Sequence, residues 1–426
     1  MKNLFYLIHI CLAVVIFVSC SIQEKDVAAE TTKPEIGPDV AIAWNHMAYT
    51  IANQHDQFLS FIGVRALAMS HLAMHDALNA IYSQFEPMVY RGNAVEASPL
   101  AAASQAAYEV LATIYPDRKD TLDVALQNWL ARENDLNARS AGVELGKATA
   151  ASIIQLRKGD GHEKNGGYTP MNKPGAYQYT PNFDWVWKPD FSYATPFTLD
   201  TLTQFRSPKP PGLSSIEYTD SYNEVRLYGG KESAIRTEDQ TNIAHWWAEF
   251  GEHGWNRIGR ITAEENNLSL WKAVRMFALI NVTLYDLYLV SFESKYHYDT
   301  WRPITAIHNA DNDKNWDTRP DAEWQPEMLT PPWPEYPSAH AAVGAAGAEI
   351  VAHVYGTHDV SFTMESVTAR DEGKVRTYTN LRTAAKDCAD SRIFNGFHFR
   401  FATFEGLLQG KKVAKFIHGK ILRPVE

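Results

Sequence analysis

Lys295-x6-Arg302-Pro303, Pro337-Ser338-Ala339-His340 and Ser391-Arg392-x5-His398 follow one another in the C-terminal half of this chain. Together they offer three cations, a hydroxyl and two imidazoles. A tetrahedral oxyanion such as phosphate or vanadate, held away from bulk water, needs its charge balanced, and Lys295, Arg302 and Arg392 can do that, the two guanidiniums by gripping two oxygens each. Ser338 can donate its hydroxyl. If Ser338-Ala339-His340 opens a helix, the free N–H groups of its first turn point at the same anion. The apolar run Ala341–Ala348 favours that helix, although Gly344 and Gly347 within it weaken it. Of the two histidines, one can bond the central atom of the oxyanion and the other move protons near neutral pH. The residues alone leave open which does which.

These three motifs resemble the signature of the type 2 phosphatidic acid phosphatase and vanadium haloperoxidase superfamily, Lys-x6-Arg-Pro, Pro-Ser-Gly-His and Ser-Arg-x5-His. Their flanks are similar to the vanadium-dependent haloperoxidases: Thr300-Trp301-Arg302-Pro303, the run from Pro331 to His340, and the run from Ser391 to His398. The stretch from Arg65 to Ile81, Arg236–Gln240 and Trp246–Glu249 resemble bacterial members, so the likeness covers most of the chain beyond its N-terminus. The resemblance implies that His398 is the axial ligand of vanadium and His340 the acid-base group. Lys295, Arg302 and Arg392 would neutralise the equatorial oxygens, with Ser338 and the Ala339 N–H as donors. In the phosphatase branch His398 would be the nucleophile and His340 the leaving-group acid.

Three positions depart from the family. Ala339 replaces a Gly, which suits the site only at negative φ. Ala402 stands where many members carry an Asp four residues after the ligand His, removing one group that could orient it. Trp333 stands seven residues before His340, where characterised haloperoxidases carry Phe or His in a position tied to halide preference.

The elements that must position these residues read as helices. The chain has 426 residues, 45% hydrophobic, and a net charge of −10. That is ample for a large core, disfavours a nucleic-acid partner and confines the useful cations to a local pocket. Residues 39–158 read as an N-terminal helical bundle, with the periodic Ala66, Met69, Leu72, Ala73, Ala77 and Ile81 on one face. Residues 159–235 read as an ordered connection rich in Pro and aromatics, wrapping the body and lining the pocket mouth. Residues 236–426 read as a C-terminal bundle holding the oxyanion site. Within it, the apolar run from Ala263 to Ser294 reads as a buried central helix, opened by a Thr262/Glu265 capping box, whose end delivers Lys295. No β-alternation of useful length appears. The fold class is therefore all-α, with packed helix bundles; the resemblance implies two.

At the N-terminus, Met1-Lys2-Asn3, the apolar stretch Leu4–Val18 and then Ser19-Cys20 read as a lipoprotein signal over 1–20, with Cys20 lipidated. A polar tether over 21–38 follows. This predicts an exported protein, anchored in the periplasm or at the outer membrane. Cys388 remains as a small buried thiol, and no disulfide framework exists.

Other candidates read more simply. His71 and His75 are spaced for a metal but lack a third ligand, and read as core histidines; Asp76 and Asn79 read as buried polar partners. Asp286 reads the same way, with a place behind the site as its second use. The run from Asp311 to Asp317 begins like a calcium loop but lacks the sixth-position Gly and has Ala322 at the twelfth, so it reads as a solvated turn. Trp185 and Trp187 could form a carbohydrate platform, although core packing is the commoner use of such rings.

Three functions are then to be separated. The first is a vanadate-dependent haloperoxidase-like enzyme that oxidises halide, bromide or iodide, with hydrogen peroxide. The second is a phosphatase that needs no cofactor and cleaves a phosphomonoester through a phosphorylated His398. The third is a lipoprotein that only binds an oxyanion, its chemistry lost through Ala339 and Ala402.

Overall fold

The structure is a computed structural model that describes residues 36–57, 61–164 and 166–425. The expected signal over 1–20, and the tether as far as residue 35, lie outside the described residues. Residues 36–38 already lie against the body, where the Leu270 N–H donates to the Ile36 carbonyl at 2.7 Å.

The N-terminal bundle comprises α1 (Asp39–Asp56), α2 (Ile62–Tyr82), α3 (Pro99–Ile114), α4 (Lys119–Leu130) and α5 (Leu136–Leu156). Local chemistry sets these ends. Ser98 caps α3 by accepting from the Ala101 N–H ahead of a proline in the first turn, and Asp135 caps α5. α3 and α5 lie so close that a Cβ on Gly146 would come within 2.6 Å of the Gln105 Cβ. Behind α2, the buried Asp76 carboxylate accepts the N–H groups of Met88, Val89 and Tyr90 and so fixes the following loop. His71 and His75 are fully buried core residues, as their surroundings indicated.

The connection then crosses the body, and includes α6 (Ile216–Tyr228). It leads to α7 (Glu238–Trp246), α8 (Gly251–Glu265) and α9 (Leu270–Tyr298). Here the expected single helix from Ala263 to Ser294 is corrected. Asn266 closes α8, Asn267 takes a left-handed φ of 46°, and Ser269 caps a new helix by accepting from the Lys272 N–H. Thr262 is no cap either: its hydroxyl donates to the Ile258 carbonyl inside α8. By length and composition α9 could cross a membrane, but its apolar window is entirely buried within the protein. It packs on both α2 and α11 (Ala339–Tyr355), within one core that runs through residues 36–426.

Between α9 and α11 lies the short α10 (Pro303–His308); beyond α11 come β1 (Phe362–Glu365), β2 (Val375–Tyr378), α12 (Leu381–Phe394) and α13 (Arg400–Lys420). The two strands form an antiparallel hairpin with Phe362 opposite Tyr378. Four residues each are too few for alternation to stand out in the sequence, although Phe362 and Met364 do point inward. α13 grips the start of α11: a Cβ on Gly406 would lie 2.3 Å from the Ser338 carbonyl oxygen, and one on Gly410 2.0 Å from that of Ala342. Gly344 and Gly347, unfavourable for helix propensity, are likewise explained by the close approach of Cys388 and of the Trp255 ring. The protein is mostly helical, with this one small sheet among the described residues.

Candidate oxyanion site

Each motif residue reaches the site from a helix end. Lys295 lies in the last turn of α9, Arg302 immediately precedes α10, Ser338 caps α11 with Ala339 and His340 in its first turn, and Arg392 is near the end of α12. His398 sits in the turn before α13, where its N–H and that of Phe397 both reach the Arg392 carbonyl. All seven residues expected from the sequence are therefore brought to one region.

The cations are deeply buried. The Lys295 ammonium donates to the carbonyls of Pro334 and Glu335 at 3.0 and 2.8 Å, leaving one of its three protons for a ligand. Arg302 donates through Nε to the Trp333 carbonyl and through Nη1 to the Phe397 carbonyl, but its Nη2 has no partner. Nε and Nη2 of Arg392 are also unpartnered. Burial lowers both guanidinium pKa values to about 10 and holds that of Lys295 well below its ordinary value. Buried donors without acceptors are costly. A multiply charged oxyanion, whose oxygens accept several such bonds, is the group this donor set fits.

The two histidines can be told apart. Arg302 Nη1 approaches His398 Nε2 at 3.1 Å, and because a guanidinium can only donate, Nε2 must carry a lone pair. The proton is then on Nδ1, which donates to Glu335 Oε1 at 2.8 Å. His398 thus presents an unprotonated nitrogen within the cationic pocket, its lone pair accepting from Arg302. His340 is bonded through Nε2 to the Trp247 carbonyl at 2.9 Å, so that nitrogen carries the proton and Nδ1 is the basic one. Burial and the neighbouring Arg392 keep His340 neutral, and burial with the surrounding cations does the same for His398.

Glu335, inside the run from Pro331 to His340, has a role at the site that its sequence context alone does not assign. Fully buried, it also accepts the Phe399 N–H at 3.1 Å, and burial raises its pKa to about 7 against the pull of Lys295 and Arg302. The signal was present: a carboxylate among prolines, three residues before Ser338. It takes over the orienting part that the absent Asp at Ala402 would have played. Ala402 contributes its backbone instead, its carbonyl accepting the Ser338 N–H at 3.0 Å. Ala339 meets the condition on its backbone, since it is helical and not among the residues with positive φ.

Asp286, by contrast, does not stand behind the site. Its carboxylate accepts the N–H groups of Phe197 and Thr198 and the Thr198 hydroxyl, pinning the connection to α9. The turn at Asp313 is closed by its own buried side chain, which accepts from the Asn315 N–H and the Thr318 hydroxyl, while Asp311 and Asp317 are exposed. The Cys388 thiol is buried and its pKa pushed up to about 12, so it is not a reactive group.

A cavity of about 290 Å³ opens onto Ala339, His340, Arg392 and His398. One wall is a ring cluster: Trp187 from the connection lies 4.9 Å from Trp333, and Phe292 packs against both. Trp187 is therefore a wall of the cavity, whereas Trp185 is half exposed beside Phe183. Arg302 lies 5.7 Å from the Trp333 ring centre.

Residues 275–426 match the family model of the second helical-bundle domain of vanadium chloroperoxidase. The chain is thus similar to the vanadium haloperoxidases. Vanadium chloroperoxidase from Curvularia inaequalis is 25% identical over an alignment of 384 residues that takes in 69% of this chain. The chain spans 61% of that relative's length. Among solved structures, a bacterial vanadium-dependent iodoperoxidase superposes with a TM-score of 0.79 at 22% identity, covering 93% of this chain and 99% of the other. A holo-type bacterial vanadium-dependent chloroperoxidase gives 0.72 at 16% identity, covering 91% and 98%. The vanadium haloperoxidase relatives thus share the helical architecture on which the seven motif residues are carried here.

Proposed function

We propose that this protein is a vanadate-dependent haloperoxidase that oxidises iodide or bromide with hydrogen peroxide. The observation that carries this reading is the His398 nitrogen lone pair, fixed by Glu335 among three buried cations whose free donors match an oxyanion. Vanadate held there would supply the Lewis acidity that activates peroxide. The chain's own residues do the rest. Arg302, Arg392 and the remaining Lys295 proton balance the anion's charge, the Ser338 hydroxyl and the first-turn N–H groups of α11 add neutral donors, and Glu335 keeps His398 in the required tautomer. His340, neutral and facing the cavity, takes a proton from the incoming peroxide on Nδ1 and returns it to the departing water. The Trp333–Trp187–Phe292 wall excludes water, which favours the more polarisable iodide and bromide over chloride. The N-terminal signal supports export with a lipid anchor on Cys20, and Cys20→Ser should release the protein from membranes.

The test is a vanadate titration of protein stripped of vanadium. Halide oxidation should appear as vanadate is added and fall as phosphate competes. Hydrolysis of p-nitrophenyl phosphate that vanadate inhibits, with no halide oxidised at any concentration, would replace this reading with a phosphatase acting through His398.

A further inference from the structure

A second, open groove is bounded by α1, α8 and the β1–β2 hairpin. It holds about 970 Å³ and shares no lining residue with the cavity at His340 and His398. At its base is Arg260, 9% exposed. Three wholly buried asparagines hold this guanidinium in place. Asn281 and Asn256 bond each other through their side-chain amides, Asn256 accepts from Asn45 at 2.8 Å, and Asn45 Oδ1 accepts from Arg260 Nη1 at 2.6 Å. The Tyr49 ring centre lies 5.4 Å from the guanidinium. Nη1 is thus used, whereas Nε and Nη2 make no hydrogen bond to the described residues. Those two nitrogens form one edge of the fork, and such an edge takes both oxygens of a carboxylate side by side.

The charges around Arg260 do not balance. Arg257 pairs with the Glu249 carboxylate and Lys374 with that of Glu365, each at 2.9 Å. The other acid in the lining, Asp371, is exposed and acts on Lys374. Among the described residues Arg260 therefore has no ion-pair partner. Burial, with Arg257 beside it, lowers its pKa to about 10, so it stays charged at neutral pH. Burial and the two arginines also lower the pKa of His46, and that of His253 to about 4, so neither offsets or adds charge there. A desolvated cation without a counter-ion is costly. The rest of the wall is largely apolar, with Met364 buried and Val367 and Val375 on the hairpin 70% and 55% exposed.

We propose that this groove binds an organic monocarboxylate, its two oxygens on the Nε–Nη2 edge of Arg260 and its aliphatic body along Met364 and the two hairpin valines. One negative charge matches one unpaired cation, and a planar two-oxygen group matches the free edge. A dianion would bring a charge the groove has no cation to pair. The proposal is independent of the reaction read at the oxyanion site.

Hexanoate is the probe, with 1-hexanol carrying the apolar body without the charge and inorganic phosphate the charge without the body. Titration calorimetry on the full protein should show one saturable hexanoate site with a dissociation constant below about 10 mM. 1-Hexanol should show none. Phosphate, which the oxyanion site can take, should not displace hexanoate. Arg260→Gln should weaken hexanoate by about tenfold or more, as the loss of a charge-assisted bond does. Val367→Asp, at an exposed position that does not bear on folding, gives the groove a carboxylate of its own and should weaken hexanoate by about threefold or more. That second variant decides the matter if Arg260→Gln does not fold. The absence of saturation, equal binding of 1-hexanol, displacement by phosphate, or full affinity in a folded variant would each overturn the proposal.

Discussion

Arg392 is the place where ligand and stability meet. Its guanidinium is buried with Nε and Nη2 unpartnered, and it lies 5.1 Å from the Phe397 ring. Without an oxyanion this is a charge desolvated for no return, and exchanging buried ionic groups for well-packed apolar ones commonly stabilises by about 1–4 kcal/mol. Arg392→Met should therefore raise the melting temperature in phosphate-free, vanadate-free buffer. For 426 residues, at ~2.1 cal/mol/K per residue, the unfolding entropy is ~0.9 kcal/mol/K, so the gain is about 1–4 °C. The wild type should recover the difference on adding vanadate: at one hundred times its dissociation constant a ligand adds about 2.7 kcal/mol, or about 3 °C. In the variant the vanadate shift should fall below about 1 °C, because one of three cations is gone. Scanning calorimetry of both proteins, with and without vanadate, reads all four values. An Arg392→Met protein that melts below the wild type in the anion-free buffer would refute the claim that these donors wait for a ligand.

Three further outcomes are expected. Glu335→Gln, which removes the charge that holds the His398 Nδ1 proton, should weaken vanadate binding about 10–100-fold; an unchanged dissociation constant by calorimetric titration would remove Glu335 from the site. Trp333→Phe should lower vanadate affinity by less than about tenfold, because Phe keeps a ring face towards Arg302 and only part of a contact worth ~0.5–2 kcal/mol is lost, while the chloride-to-bromide rate ratio rises; an unchanged ratio would detach Trp333 from halide selection. His71 is fully buried, with its pKa lowered from 6.5 to about 4, chiefly by desolvation. Its contribution to stability is complete above pH 6.5 and is lost as pH falls towards 4, by about 3 kcal/mol. His71→Phe should accordingly show a shallower acid limb in denaturant titrations between those pH values, and an acid limb of equal depth would overturn the assignment.

The site was legible because it is written in short segments whose spacing is fixed chemically. An oxyanion needs cations and first-turn amides, and Lys295, Arg302, Ser338, Ala339, His340, Arg392 and His398 all sit at helix ends that supply them. Glu335 was not legible as a partner of His398, since 63 residues separate them and only the folded turn before α13 brings Nδ1 to the carboxylate. The break between α8 and α9 was hidden for a different reason. Apolar residues continue on both sides of it, and periodicity reports burial more directly than continuity; the left-handed Asn267 and the Ser269 cap were the local marks that weighed against a single helix. Asp286 shows the converse. Its place on a buried helix above Lys295 was read correctly, but the backbone it serves lies in the connection, 88 residues away at Thr198.

The connection is tied down on both sides of its most exposed stretch, residues 171–174. Before it, the Tyr168 hydroxyl donates to the Asp299 carboxylate; after it, the Tyr177 N–H donates to the Asp299 carbonyl at 2.8 Å, and Ala176 pairs with Thr300. Continuity of the chain at 171–174 is therefore not what keeps Trp187 against Trp333. A protease that cuts there should leave two fragments that migrate separately in denaturing gels yet stay associated as one particle, with the ring wall still in place.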